Sequence, residues 1–133
     1  MKSRSILRKC LITPPWNWEW QELNYLDNEE LESLCLVMGI PHSGTKTKKI
    51  DRLKTASDVR YFLHNQTLES LQTLPKKLLA ENAKKAGKPS YLNKYGIAAA
   101  LINWRSECQR KGQKAAIEAL DYAKTQPKQL SLF

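Results

Sequence analysis

Lysine and arginine dominate the chemistry-bearing side chains of this sequence, and their spacing suits phosphate binding rather than catalysis. Residues 44–60 hold six bases (Lys46, Lys48, Lys49, Arg52, Lys54 and Arg60) against Asp51 and Asp58. Residues 75–94 hold six more (Lys76, Lys77, Lys84, Lys85, Lys88 and Lys94) against Glu81 alone. An acidic stretch precedes both: residues 19–32 carry Glu19, Glu22, Asp27, Glu29, Glu30 and Glu32 and no base. Over 133 residues, 22 Lys+Arg against 13 Asp+Glu give a formal net charge of +9. An excess of that size favours a polyanionic partner, usually nucleic acid. Its distribution in blocks predicts a polar molecule with one nucleic-acid-facing side.

Other chemistries lack their residues. His42 and His64 have no metal-ligand motif beside them. Cys10, Cys35 and Cys108 are odd in number and form no CxxC pair, so buried thiols in a reducing compartment are expected rather than disulfides or zinc. No glycine-rich phosphate loop, HExxH or nucleophile elbow occurs. The acids at 27–32 fit helix capping and solubility. No catalytic residue, cofactor or metal is therefore expected. Apolar runs are far short of a membrane span, and Met1-Lys2-Ser3-Arg4 is not followed by an apolar core, so a cytoplasmic, nucleoid-associated protein with no membrane partner is expected.

The elements that position the bases are read as helices. Asp27-x-x-Glu30 is a capping box, and Leu31, Leu34, Cys35 and Met38 follow on one helical face. Gly39 stops that helix and Pro41 follows. After the His42-Ser43-Gly44 turn, Thr45 caps a second helix with Ile50 and Leu53 inward. A third helix is expected over 58–72, with Val59, Phe62, Leu63, Leu68 and Leu71 inward. Thr73 then caps another helix with Pro75 in its first turn and Leu78, Leu79, Ala83 and Ala86 inward, ended by Gly87. Asn93 caps a long helix to about Lys111, closed by Gly112. A last helix is expected over 113–124, with Ala116, Ile117 and Leu120 inward.

Part of this pattern recurs. Leu31 and Leu79, Gly39 and Gly87, Pro41 and Pro89, Lys46 and Lys94, and Leu53 and Leu101 all stand 48 positions apart. One offset shared by a helix-stop glycine and a lone lysine suggests duplication of a helix–loop–helix unit.

The first copy resembles the SAP motif, a helix–extended loop–helix DNA-binding module. Its hallmarks are Leu-x-x-Leu, Gly-Leu-Pro, Ser-Gly-x-Lys and Leu-Ile-x-Arg-Leu. This chain has Leu31-Glu32-Ser33-Leu34, Gly39-Ile40-Pro41, Ser43-Gly44-Thr45-Lys46 and Ile50-Asp51-Arg52-Leu53 in the same order, covering about residues 24–57. The resemblance implies backbone contacts to duplex DNA from Ser43, Gly44, Thr45 and Lys46 at the start of the second helix, where free N–H groups suit a phosphate. Lys48, Lys49 and Arg52 would flank the same strand. Lys49 stands where the family has an apolar residue, which implies a weaker small core or an added DNA-facing charge. The second copy, about 73–105, keeps Asn93-Lys94 but has Tyr91-Leu92 in place of Ser-Gly, and Lys94 is its candidate DNA contact.

The last five residues, Gln129-Leu130-Ser131-Leu132-Phe133, resemble the pentapeptide by which bacterial replication and repair proteins bind the sliding clamp. All five positions match. Pro127 is expected to break the preceding helix and free the peptide. Leu130, Leu132 and Phe133 would fill an apolar pocket on the clamp, with Gln129 hydrogen-bonding at its edge.

The N-terminal arm carries Trp16, Trp18 and Trp20, which would share one face of an extended strand. Packing on the helices is expected to close the core, with base stacking or docking of another protein as rival uses. Lys2, Arg4, Arg8 and Lys9 are placed to trail along DNA.

Together these readings describe an all-α chain. An arm (1–23) precedes a SAP-like unit (24–57), a connecting helix (58–72), a degenerate second unit with a C-terminal helix (73–125) and a clamp-binding-like tail (126–133). The expected function is a non-enzymatic DNA-binding adaptor of a bacterium, phage or mobile element that docks on the sliding clamp. The rival expectations are a protein-interaction factor, such as a clamp inhibitor or accessory subunit of a DNA-processing complex, and an RNA-binding protein.

Overall fold

The computed structural model describes residues 2–131, with side chains over 5–118. Among the described residues the chain is all-helical. Six α-helices, α1 (Lys2–Ile12), α2 (Asn28–Met38), α3 (Lys46–Leu63), α4 (Leu68–Gln72), α5 (Lys76–Lys85) and α6 (Lys94–Ser131), are joined by loops and by two 3-10 turns at Pro15–Asn17 and Glu22–Tyr25.

Local signals decide most helix ends. Asp27 Oδ1 accepts from Glu30 N at 2.8 Å, and Glu30 Oε1 accepts from Asp27 N at 3.1 Å, closing the capping box of α2. Thr45 Oγ1 accepts from Lys48 N at 3.2 Å at the start of α3, and Asn93 Oδ1 from Gly96 N at 2.8 Å at the start of α6. Gly39 and Gly87 end α2 and α5 in the left-handed region, with φ of +73° and +72°. Thr73 does not cap α5: its hydroxyl donates to Ser70 O at the end of α4, and Pro75 stands at the N-cap without a side-chain bond.

Three expected breaks are absent. The second and third helices of the sequence reading meet in one helix, α3, which runs to Leu63 across the expected boundary at 57/58; only 68–72 of the later stretch forms separately, as α4. No glycine or proline interrupts 46–63, and Leu53, Ala56, Val59 and Leu63 keep a buried stripe at helical spacing throughout. Gly112 does not end α6, which continues through it and through Pro127 to Ser131. A Cβ at Gly112 would lie 1.9 Å from Val37 O, and one at Gly39 would lie 2.2 Å from Cys108 O. Gly112 therefore serves close approach of α2 and α6, which outweighs its cost of about 1 kcal/mol inside a helix. Pro127 removes one amide donor from the last turns, and the helix span includes it.

The core has two parts. One gathers Ile6, Cys10, Trp18, Leu23, Leu26, Leu31, Leu34, Cys35, Met38, Leu53 and Ala56; the other gathers Val59, Leu63, Leu71, Leu79, Ala83, Ile97, Ala98 and Leu101. The long α3 feeds both, and Trp104 of α6 packs partly against each. Arg105 Nη1 donates to Leu63 O at 2.6 Å and Gln66 O at 3.0 Å, so a guanidinium from α6 satisfies carbonyls at the C-terminal end of α3.

The arm is a packed element, not an extended strand. Ile6 and Cys10, four apart on α1, are buried, and Trp18 Nε1 donates to Cys10 O at 3.0 Å and Thr13 O at 3.2 Å. Its three tryptophans diverge. Trp18 is buried with Trp20 edge-on at 5.8 Å, whereas Trp16 lies against Tyr61 at 5.7 Å and His64 at 4.9 Å. Of the arm's bases, Lys9 pairs with Glu22 at 3.2 Å, Arg8 is exposed, and the side chains of Lys2 and Arg4 lie outside the described residues.

Candidate nucleic-acid interface

The first candidate surface is the Gly39–Thr45 loop and the start of α3. Ser43, Gly44, Thr45, Lys46 and Lys48 are all exposed. Gly44 has φ +112°, a conformation L side chains rarely adopt, and a Cβ there would lie 3.0 Å from Arg52 Nη2. Arg52 is half-buried behind the loop and donates from Nη1 to Pro41 O at 2.8 Å. Arg52 thus holds the loop that carries Ser43 and Gly44. Lys46 Nζ donates to Asn24 O at 2.5 Å, tying the start of α3 to the Glu22–Tyr25 turn. His42 Nδ1 lies 3.3 Å from Glu32 Oε1.

Lys49 does not belong to this surface. It is 2% exposed, with Nζ 2.9 Å from Asn28 Oδ1, 3.4 Å from Asn28 O and 4.0 Å from Glu32 Oε2. Position 49 lies on the inward stripe of α3, and the neighbouring end of α2 supplies the oxygens that make a buried ammonium tolerable. The expected DNA-facing charge at Lys49 is therefore a packed, internally bonded one.

The backbone bonds at the helix end and the next helix start recur 48 positions on, while the loop between them differs, Gly44 being left-handed and Leu92 not. Ile40 N donates to Cys35 O at 3.0 Å and Lys88 N to Ala83 O at 2.8 Å; Gly39 N donates to Leu36 O and Gly87 N to Lys84 O, both at 3.0 Å. Lys49 N donates to Thr45 O at 3.0 Å and Ile97 N to Asn93 O at 2.9 Å. Lys46 and Lys94 are each the first residue of their helix. Buried positions correspond as well: Leu31 and Leu79, Leu34 and Asn82, Cys35 and Ala83, Lys49 and Ile97, Leu53 and Leu101.

The electrostatics of the two places differ. Lys76, Lys77, Lys84 and Lys85 are exposed, Lys88 and Lys94 half-exposed, and among the described residues none of the six takes part in an ion pair or side-chain hydrogen bond. Helices α1, α3, α5 and α6 begin with lysine and have no acid in their first turn, whereas α2 has Glu29 and Glu30 and α4 has Glu69. A cation at the positive end of a helix is disfavoured by roughly 0.3–1 kcal/mol, a penalty that a bound anion relieves. The two places approach each other: a 250 Å³ groove is lined by Pro41, Asp51 and Arg52 on one side and Lys85 and Ala86 on the other.

Of the clamp-like peptide, Leu132 and Phe133 lie outside the described residues, as do the side chains of Gln129, Leu130 and Ser131. Among the described residues no three His, Cys, Asp or Glu side chains come together as a metal site, and no helix is long and apolar enough to cross a membrane. Sequence reasoning took Tyr91 only as a departure from Ser-Gly and passed over Tyr95; the two are 82% and 57% exposed beside Lys94. The available signal was Tyr-x-x-x-Tyr within a lysine-rich segment. No family model, curated protein or solved structure matches the chain.

Proposed function

We propose that this chain is a non-enzymatic DNA-binding adaptor, bacterial or from a bacterial mobile element or phage. In this reading one or two SAP-like units grip the duplex backbone and the Gln129–Phe133 peptide docks on a sliding clamp. The observation that carries the DNA part is the repeated loop–helix start, each copy led by a lysine (Lys46, Lys94) and free of acids in its first turn. The net charge of +9 supports it. Candidate contacts in the first unit are Ser43, Gly44, Thr45, Lys46 and Lys48, with Arg52 positioning the loop. The clamp part is supported by the five-residue match alone. Two weak sites on one chain raise each other's occupancy through effective concentration.

Duplex binding titrated against salt tests the DNA part. Coverage of four to five phosphates gives a log–log slope of about −4; absent or salt-insensitive binding overturns it. Binding to a purified bacterial sliding clamp, with and without residues 129–133, tests the tail. Clamp binding that depends on those residues, with no salt-dependent DNA affinity, would favour the interaction-factor reading.

A further inference from the structure

We propose that the second unit is a single-stranded DNA site, in which Tyr91 and Tyr95 stack on unpaired bases while Lys84, Lys85, Lys88 and Lys94 hold the flanking phosphates. The inference rests on the nucleic-acid reading above and deepens it.

Corresponding positions carry the argument. Ser43 and Thr47 flank the first helix start, and both are exposed. The residues 48 positions on are Tyr91 and Tyr95, 82% and 57% exposed. The backbone bonds on either side of the loop repeat, although Gly44 at φ +112° has no left-handed counterpart at Leu92; in register, one unit places two small hydroxyl side chains where the other places two aromatic rings. Small groups let a duplex backbone approach closely. Rings at the same places hold it off, and the base faces of a duplex are already stacked and out of reach. An unpaired base offers both faces, and base–aromatic stacking tolerates any sequence. Neither tyrosine stacks on another aromatic ring among the described residues.

Charge points to the same strand. In the first unit Lys46, Lys49 and Arg52 are engaged within the protein, with Asn24, Asn28 and Pro41, while the Lys48 and Lys54 ammonium groups have no ion pair or hydrogen bond among the described residues. In the second unit the lysines beside the tyrosines have no such partner among the described residues. An aromatic pair set among uncommitted cations is the composition of a single-strand groove. A groove lined by Asp51 and Arg52 on one side and Lys85 on the other lies between the two units.

The test compares a labelled thymidine oligonucleotide, its duplex of equal length and a uridine oligonucleotide. The proteins are the full chain, Y91A/Y95A and Y91F/Y95F. Both rings are exposed, so the variants should melt as the unaltered chain does. The expected result is a loss of about 5-fold or more per ring in thymidine-strand affinity for Y91A/Y95A, with duplex affinity unchanged and Y91F/Y95F retaining full affinity. Equal losses on strand and duplex, or none on the strand, overturn the stacking site and leave the adaptor reading standing. Tighter binding of the uridine strand overturns the assignment to DNA. If the unaltered chain shows no salt-dependent affinity for any of the three, the nucleic-acid reading fails, and this inference with it.

Discussion

The Lys49 ammonium lies 2.9 Å from Asn28 Oδ1, a bond from the inward face of α3 to the first turn of α2. Ile97, which stands 48 positions on, is fully buried.

Lys49→Met should therefore cost little, within about 1 kcal/mol by urea midpoint, because a buried charge replaced by an apolar chain of similar volume is often neutral or better. Asn28→Ala should cost more, about 1–3 kcal/mol, by removing the ammonium's closest acceptor. Duplex affinity of Lys49→Met should equal that of the unaltered chain. A drop matching that of Lys46→Ala would return Lys49 to the DNA-facing surface.

Gly39 and Gly87 share a positive φ but not their surroundings. A Cβ at Gly87 meets nothing within 4 Å, whereas one at Gly39 meets the Cys108 backbone at 2.2 Å. Gly87→Ala should cost about 1–2 kcal/mol for the left-handed conformation alone. Gly39→Ala should cost clearly more, since α6 must also shift. Gly112→Ala, at an ordinary helical φ but 1.9 Å from Val37 O, should destabilise by about 1–3 kcal/mol through overpacking. Thermal melts of the three variants give the order, and equal losses at Gly39 and Gly87 would refute the close α2–α6 approach.

Trp18 ties α1 to the body through two carbonyls, Cys10 O and Thr13 O. Trp18→Phe keeps most of the apolar contact but leaves the largely buried Cys10 carbonyl without that donor. The expected cost is about 1–3 kcal/mol, with increased hydrogen exchange confined to α1. Exchange rising evenly over all helices would show that α1 is not held in this way.

All three cysteines are free and buried, and desolvation raises each thiol; that of Cys10 is pushed up to about 11. A raised folded-state value means that the folded chain retains protons the unfolded chain releases. The stabilisation is therefore complete below the ordinary thiol range of about 8.5 and is lost as pH rises towards 11. Urea midpoints should fall over that alkaline window. At neutral pH, alkylation of the three thiols should track unfolding, and rapid labelling of native protein would contradict their burial.

Helix starts and stops were legible in the sequence at Asp27–Glu30, Gly39, Thr45, Gly87 and Asn93, because a cap is a hydrogen bond formed within a few residues and needs no distant partner. The bonds that end one helix and start the next recur at the 48-residue offset as well. Gly112 and Lys49 were misread because the deciding group lies elsewhere in the chain, whereas Thr73 and the 57/58 boundary were decided locally, by the Ser70 carbonyl three residues back and by the absence of Gly or Pro in 46–63. Gly112 has the residue type of a helix stop, and only the passage of the Val37 carbonyl shows that it admits a neighbouring backbone. The first helix escaped notice because its buried face is narrow, Ile6 and Cys10 among bases, and is completed by Trp18 from beyond it. Sequence alone determined how many cations stand in residues 44–60 and 75–94. Tertiary structure decided which remain uncommitted, since Asn24, Asn28 and Pro41 reach Lys46, Lys49 and Arg52 only after the chain has folded back on itself.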